Sequence, residues 1–166
     1  KNSVRNDKPI VGPFHVNTRG SSDMYQKASL MLHTLRSLVN NDSLWFSIIK
    51  GISQDFKYEI VDGADIINYI NNRTKINFST FFSQYLYNKD LPIFEYKIQK
   101  NGRANTLIYR WNAIDKFSMR LLINNGTEDI WLNPNSEWQE LSLGVCDIKA
   151  FSIREDLFFI DVKKIK

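Results

Sequence analysis

The chain has 166 residues and a mass of 19.5 kDa, which is enough for one ordinary domain or two small ones. Apolar residues make up 43% and charged residues 24%, so the composition is that of a globular protein, not of a disordered or membrane protein. The net charge of +4 comes largely from cations near the two ends, which predicts no nucleic-acid partner. Only Cys146, His15 and His33 could serve as sulfur or imidazole ligands, which excludes a disulfide framework and a cysteine-based zinc site.

Targeting and membrane signals are absent from the sequence itself. No run of 18 apolar residues occurs, so we predict no membrane span. Residues 1–8 are polar and do not resemble a signal peptide. The first residue is not Met, and we therefore expect a piece of a longer protein. The compartment stays open between exported and cytoplasmic, because one unpaired cysteine fits both.

The first 20 residues are expected to be irregular, because Pro9, Gly12, Pro13 and Gly20 interrupt any period. From Ser21 to about residue 90, apolar residues recur every three or four positions, which predicts four helices with short connections. The expected caps are Ser21, Ser22 or Asp23 (with Gln26 as a capping-box partner) for the first helix, Asp42 or Ser43 for the second, and Asp62 for the third.

The pattern changes after Pro92, within a boundary region at residues 88–95, to short alternating runs. Asn101-Gly102 predicts a tight hairpin turn. The predicted strands cover residues 93–98, 106–111, 117–123, 129–132, 137–143 and 157–162. The chain is therefore expected to be an α+β protein, in which an irregular segment (1–20) and a helical subdomain (21–90) precede an antiparallel, immunoglobulin-like β-sandwich domain (91–166).

Each half is expected to have its own core, because each follows the period of its own elements. The helical core is predicted to contain Met24, Met31, Leu35, Trp45, Ile49 and Ile67. The core of the β half is predicted around Trp111, Leu121, Trp131 and Phe159.

Few residues indicate chemistry. Tyr25 stands in the first turn of the first helix, where a phenol can point into a cleft and donate to a developing oxyanion. The structural alternative, favoured by position alone, is an aromatic ring that packs the preceding loop against the helix. His33 is expected to pack between helices, and His15 to be solvated. The acidic pairs Asp62/Asp65 and Glu128/Asp129 are expected to be caps and turn residues.

Several passages resemble the zinc aminopeptidases of the aminopeptidase N family, the gluzincins. Residues 5–14 and the run Tyr25-Gln26-Lys27-Ala28 are similar to the family's Tyr-x-Lys-Gly/Ala pattern and the segment before it. Residues 31–36, Leu44-Trp45-Phe46 and the run Phe81-Phe82-Ser83-Gln84-Tyr85-Leu86, which resembles the family's passage into its β-sandwich domain, continue the likeness. It covers residues 5 to about 98.

The resemblance implies metal-assisted peptide hydrolysis. In the family, a His-Glu-x-x-His motif and a downstream glutamate hold Zn²⁺, the motif's glutamate activates water, and a tyrosine stabilises the oxyanion. By motif position that tyrosine is Tyr25. The zinc motif, the third ligand and the loop that holds the substrate's free amine are absent here and are expected upstream of Lys1. The resemblance thus implies zinc and a peptide substrate for the parent protein, no zinc and no activity for this chain alone, and the upstream part of the parent as a partner. The alternative is a non-catalytic helical-plus-β-sandwich interaction module.

Overall fold

The fold was analysed in a computed structural model that describes residues 4–13, 15–16 and 21–166. Within these residues four α-helices precede seven β-strands, which confirms the predicted α+β class. The helices are α1 (Asp23–Val39), α2 (Asp42–Asp55), α3 (Gly63–Thr74) and α4 (Ser79–Tyr87). The strands are β1 (Ile93–Asn101), β2 (Ala104–Asn112), β3 (Leu121–Asn124), β4 (Asp129–Leu132), β5 (Gln139–Gly144), β6 (Ser152–Ile153) and β7 (Asp161–Lys164).

The segment before α1 contains neither helix nor strand in its described parts, residues 4–13 and 15–16. The rest of the segment expected to be irregular, residues 1–3, 14 and 17–20, lies outside the described residues. The backbone amide of Val11 donates to the carbonyl of Leu86 near the end of α4 at 3.0 Å. This bond holds part of the N-terminal segment against the last turn of that helix.

Helix starts follow the predicted chemistry at α3 and depart from it at α2. Asp62 caps α3 in a full capping box with Asp65, and each carboxylate accepts from the other residue's backbone amide at 3.0 Å. At α2 the cap is Asn41, one residue before the predicted Asp42 or Ser43, and its side chain accepts from the Leu44 amide at 3.0 Å. Asn41 has the extended backbone that a cap residue requires, whereas Asp42 already belongs to the helix.

The strands form two open sheets, with the orders β5-β2-β1-β7 and β4-β3-β6. The predicted hairpin turn joins β1 and β2, but its loop is Gly102-Arg103, because Asn101 still pairs with Ala104; Gly102 has a positive φ of +64° there. The expectation of a wholly antiparallel β half is wrong at β7, which pairs with β1 in parallel. A parallel neighbour needs a long connection, and the chain between β1 and β7 is long, since it contains β2 to β6.

Two predicted strands begin later than their apolar runs. The run 117–123 becomes strand only at Leu121, because Phe117 first closes a turn onto Ile114 and the Met119 carbonyl accepts from the Trp111 indole at 2.8 Å. The run 157–162 becomes strand only at Asp161. Before that point, the backbone amide and carbonyl of Phe159 bond to helix side chains instead of a neighbouring strand.

The prediction of two separate cores is wrong, since the buried apolar residues form one continuous cluster across both halves. The cluster contains Met31, Leu35 and Trp45 from the helical half together with Trp111, Leu121 and Phe159 from the β half. Four residues expected in the cores lie outside the buried set: Met24 and Ile49 are exposed, and Ile67 and Trp131 are partly buried against it. Met24 lies off the buried face of α1, because that face begins at Asp23 and Lys27 and continues through Leu38.

Buried polar side chains join the two halves. The Tyr85 hydroxyl of α4 donates to the Phe159 carbonyl at 2.7 Å, and the Phe159 amide donates to the Thr34 hydroxyl of α1 at 2.9 Å. Gln84, also on α4, donates to the Asp90 carbonyl at 2.7 Å and accepts from the Ile114 amide at 3.0 Å. These bonds position the end of α4 and the middle of α1 on the β half. None of the helices in the described residues is long and apolar enough to cross a membrane.

Candidate functional site

Tyr25 is the third residue of α1 and is 77% exposed. Its carbonyl accepts from the Ser29 hydroxyl at 2.7 Å, one turn further along the helix. The ring therefore does not pack into the interior, as the structural alternative required. The exposure expected of an oxyanion donor on a cleft wall is observed, and the catalytic role of Tyr25 stays a prediction.

The opposite side of the first two turns of α1 carries two buried charged residues, Asp23 and Lys27. The Asp23 carboxylate accepts from the backbone amide of Arg5 at 3.0 and 3.1 Å and from that of Asn6 at 2.7 Å. It therefore holds the chain segment before the helix, which explains why the predicted capping pair of Asp23 with Gln26 does not form. Ser22 occupies the cap position without a side-chain bond, and the Ser21 hydroxyl accepts from the Asp23 amide at 3.1 Å instead.

Lys27 contacts the chain that leaves α4. Its ammonium donates to the carbonyls of Asn88 at 3.1 Å and Lys89 at 2.7 Å. Burial lowers the pKa of the Lys27 ammonium below its ordinary value, and the carboxylates of Asp23 and Asp90 act in the opposite direction. The ammonium thus binds the carbonyls of the C-cap residue of α4 and of the residue that follows it.

Sequence reasoning missed Asp23 and Lys27 as buried residues, although the spacing contained the signal. Positions 23, 27, 31, 35 and 38 follow one another at intervals of three or four, so the two charged residues continue the apolar face of α1. A lysine on such a face is normally interpreted as solvated, because an isolated buried ammonium is costly. The carbonyls of Asn88 and Lys89, together with the carboxylates of Asp23 and Asp90, compensate for the burial here.

Within the described residues, neither histidine forms a hydrogen bond with Tyr25. His33 is exposed on α1, and its Nε2 lies 3.0 Å from the Asp156 carbonyl, so it does not pack between helices as expected. His15 is exposed, with a positive φ of +61°. Across residues 4–13, 15–16 and 21–166, no three His, Cys, Asp or Glu side chains converge as a metal site. The described residues therefore offer no set of zinc ligands of their own, and the family resemblance expects those ligands upstream of Lys1, so no step through zinc is derived for this chain.

The acidic pairs have the structural roles expected of them. Asp62 and Asp65 form the capping box of α3. Glu128 lies in the turn between β3 and β4, where its amide donates to the Asn125 side chain at 2.9 Å. Asp129 accepts from Arg154 at 3.1 Å across the sheet. Neither pair supplies two carboxylates facing one cleft.

A cavity of about 370 Å³ lies between the helices and the β half. Apolar and cationic side chains line it, among them Leu38, Phe78, Met119, Lys116 and Arg120. The Arg120 guanidinium donates to the Leu38 carbonyl at the end of α1 and lies over the Trp131 ring, with 4.2 Å from its central carbon to the ring centroid. Tyr25 does not line this cavity, so the cavity does not complete a catalytic cleft around the phenol.

Comparisons with known proteins find a similar fold but no matching family or curated sequence. No protein-family model and no curated protein matches the chain. The chain is similar to one region of the crystal structure of Legionella pneumophila aminopeptidase A in complex with aspartic acid, with a TM-score of 0.70 and 15% sequence identity. The likeness covers 88% of this chain but only 18% of the aminopeptidase, so the chain spans less than a fifth of that protein's length. At this identity the likeness shows a shared fold.

Proposed function

We propose that this chain is the part of a zinc aminopeptidase that follows the metal site, in the gluzincin family that its sequence resembles. The observation that carries the proposal is the fold likeness to an aminopeptidase over 88% of the chain. Two features agree with it: the Tyr-x-Lys-Ala pattern at Tyr25, and the order of a helical part before a β part, which in the proposed family is a sandwich domain.

In the proposed parent, the residues of this chain supply one group to the reaction and the frame that holds it. Residues upstream of this chain would hold Zn²⁺, which would supply Lewis-acid activation of water. Tyr25 donates its phenolic hydrogen to the carbonyl oxygen of the scissile peptide as that oxygen gains negative charge. Because the hydrogen bond strengthens as charge develops, it lowers the barrier more than it tightens substrate binding.

The test is the Tyr25→Phe variant of the full-length parent, assayed with an aminoacyl anilide that has a free amine and with its N-acetylated counterpart. The wild-type parent should cleave the free-amine substrate and leave the acetylated one intact. The variant should lose about 10²–10³-fold in kcat, roughly 3–4 kcal/mol, with little change in KM. Folding should hardly change, because Phe keeps the exposed ring and the hydrogen bond from the Ser29 hydroxyl goes to the Tyr25 backbone carbonyl.

Tyr58→Phe is the matched control, since Tyr58 is an even more exposed tyrosine on the connection between α2 and α3. Its variant should retain full activity. A Tyr25→Phe parent that keeps near-wild-type kcat would contradict the assigned role even if the enzyme class is right. A parent that cleaves neither substrate would contradict the enzyme class.

The proposal also predicts that residues 1–166, expressed alone and washed with a chelator, hold no stoichiometric zinc. Only two imidazoles are present in the sequence, and the family's ligand motif is not. Metal analysis by atomic emission, on protein of known concentration, measures the ratio directly. One tightly held zinc per chain would require a site that this assignment does not provide.

The alternative, a non-catalytic interaction module, is favoured by one observation. The connection between α2 and α3 exposes three apolar side chains within residues 58–61, those of Tyr58, Ile60 and Val61. Contiguous exposed apolar side chains are typical of protein-binding surfaces. The sequence upstream of Lys1 distinguishes the two functions, since only the enzyme needs His-Glu-x-x-His followed by a glutamate.

A further inference from the structure

The first two turns of α1 are fixed from the side opposite Tyr25. Asp23 and Lys27 are four residues apart and lie on one face of the helix, at 2% and 0% exposure. Tyr25 lies two residues from each, roughly 200° around the axis, and is exposed. Whatever holds Asp23 and Lys27 in place therefore also sets the direction in which the phenol points.

The turn that binds Lys27 is itself held in place by hydrogen bonds. Its two carbonyl partners belong to Asn88 and Lys89, in the turn that follows α4. Within that turn the Asp90 amide donates to the Asn88 side chain at 3.0 Å, and the Asp90 carbonyl accepts from Gln84 at 2.7 Å. Since Gln84 also accepts from the Ile114 amide, the turn is tied to both α4 and the β half.

Asp23 supplies the second fixed point, on the N-terminal side. Its carboxylate accepts three bonds of 2.7–3.1 Å from the backbone amides of Arg5 and Asn6. The same segment is held a second time, because the Ser21 hydroxyl donates to the Asp7 carboxylate at 3.2 Å. The start of α1 is thus fixed to the preceding chain at one residue and to the end of α4 at the other.

We infer that Lys27 and Asp23 are positioning residues for Tyr25, a role that rests on the proposed function of the phenol. An apolar pair at these positions would bury as much surface but would let α1 slide or rotate, whereas directed bonds to single backbone atoms specify one register. Precision matters at such a place, because a displacement of about 1 Å costs on the order of 10²-fold in a positioned reaction. The burial of two charges on an otherwise apolar face has this geometric purpose.

The experiment measures kcat and KM of the full-length parent as a double-mutant cycle. Lys27→Met keeps the length and apolar stem of the side chain and removes its donors. We expect kcat to fall by about tenfold or more with KM within about twofold, since the phenol is displaced at the reacting oxygen. In a Tyr25→Phe background the same substitution should change kcat by less than about twofold, because no hydroxyl remains to be positioned.

Two further variants keep the test decisive. Lys50→Met changes an exposed lysine of α2 and should leave kcat unchanged in both backgrounds. If the Lys27→Met variant does not fold, Asp23→Asn is used in its place, because the new amide retains one acceptor oxygen for the Arg5 and Asn6 amides. The loss of kcat caused by Asp23→Asn should also vanish in the Tyr25→Phe background.

The outcomes separate this inference from the proposed function. An active parent in which Lys27→Met and Asp23→Asn lower kcat equally with and without the Tyr25 hydroxyl overturns the positioning role and leaves the function intact. A wild-type parent without aminopeptidase activity overturns the function and, with it, the inference.

Discussion

The helical part of the chain, residues 21–90, and the β part, residues 91–166, place their apolar residues with different periods but bury them in the same core. Within each part, the apolar face identifies the elements. Between them, buried polar groups add directed bonds to the shared apolar core, among them those of Thr34 and Tyr85 to the backbone of Phe159. The comparison teaches that two regions with independent patterns need not be independent folding units, because the pattern does not show what each face packs against.

The substitution with the largest expected effect on this shared core is Phe159→Ala. Phe159 is buried in the β half, and its ring lies 6.4 Å from the ring of Tyr85 on α4. Removing a buried phenyl group typically costs about 3–5 kcal/mol of unfolding free energy. With one core, the variant should unfold both halves in a single transition at lower urea. Hydrogen exchange of the amides of Leu35 and Leu107, one in each half, measures whether protection falls equally.

Phe46→Ala is the control, because Phe46 is an exposed phenylalanine of α2 and its removal should leave the unfolding free energy nearly unchanged. If Phe159→Ala lowered protection at Leu107 and spared Leu35, the two halves would unfold separately. That result would restore the two-core interpretation despite the continuous cluster.

How far the sequence predicts the fold depends on whether an element is determined locally. The four helices, the hairpin between β1 and β2 and the capping box at Asp62 were predicted, because their determinants lie within a few residues. The late start of β7 was not predicted, because the Phe159 amide bonds to the hydroxyl of Thr34, 125 positions earlier, and not to a neighbouring strand. No period within 157–162 contains that information.

The candidate site divides in the same way. The exposure of Tyr25 was one of the two outcomes that its position in the first helical turn allowed, and it was expected from the family resemblance. The burial of Lys27 was not, because its partners are carbonyls 61 and 62 residues away. Backbone carbonyls have no sequence signature, so a buried lysine that binds them appears in a sequence as an ordinary surface charge.

A second test concerns Glu95. Its buried side chain joins strands within the β half, whereas the side chain of Tyr85 joins the two halves. The Glu95 carboxylate on β1 accepts from Arg110 on β2 at 2.8 and 2.9 Å and from Lys163 on β7 at 3.4 Å. Burial alone would raise the pKa of Glu95, but the hydrogen bonds from Arg110, Asn112 and Lys163 outweigh it and hold that pKa below its ordinary value.

A lowered pKa in the folded state means that the stabilisation is present above the ordinary glutamate pKa of about 4.3 and is lost as the pH falls through the folded value. Glu95→Gln should therefore cost about 1–3 kcal/mol at pH 7 and progressively less below about pH 4. Urea unfolding of both proteins at pH 7, 5 and 3 measures the difference. Glu140→Gln, at an exposed position of β5, should show no such convergence. A Glu95→Gln penalty that persists unchanged at pH 3 would mean that the carboxylate's charge is not what binds the three strands.

The smallest effect is expected inside the helical half, between α2 and α3. A Cβ added at Gly51 would lie 2.1 Å from the Tyr69 hydroxyl, which donates to Asp55 at 2.7 Å. Helix propensity favours Ala over Gly by about 1 kcal/mol, but the substitution displaces the phenol and removes a bond worth about as much. Gly51→Ala should thus be close to neutral alone and stabilising by up to about 1 kcal/mol in a Tyr69→Phe background.

The matched control for this coupling is Gly63→Ala in α3, where no atom lies within 4 Å of the added Cβ. It should stabilise the protein by roughly 0.5–1 kcal/mol whether or not the Tyr69 hydroxyl is present. Urea denaturation of the two cycles gives the interaction energies directly. Additive behaviour at Gly51 would show that Tyr69 moves aside without cost. Coupling at Gly51 alone would show that close packing between two helices, and not helix propensity, selects glycine there, so that even the locally determined half contains positions whose residue is chosen by a tertiary contact.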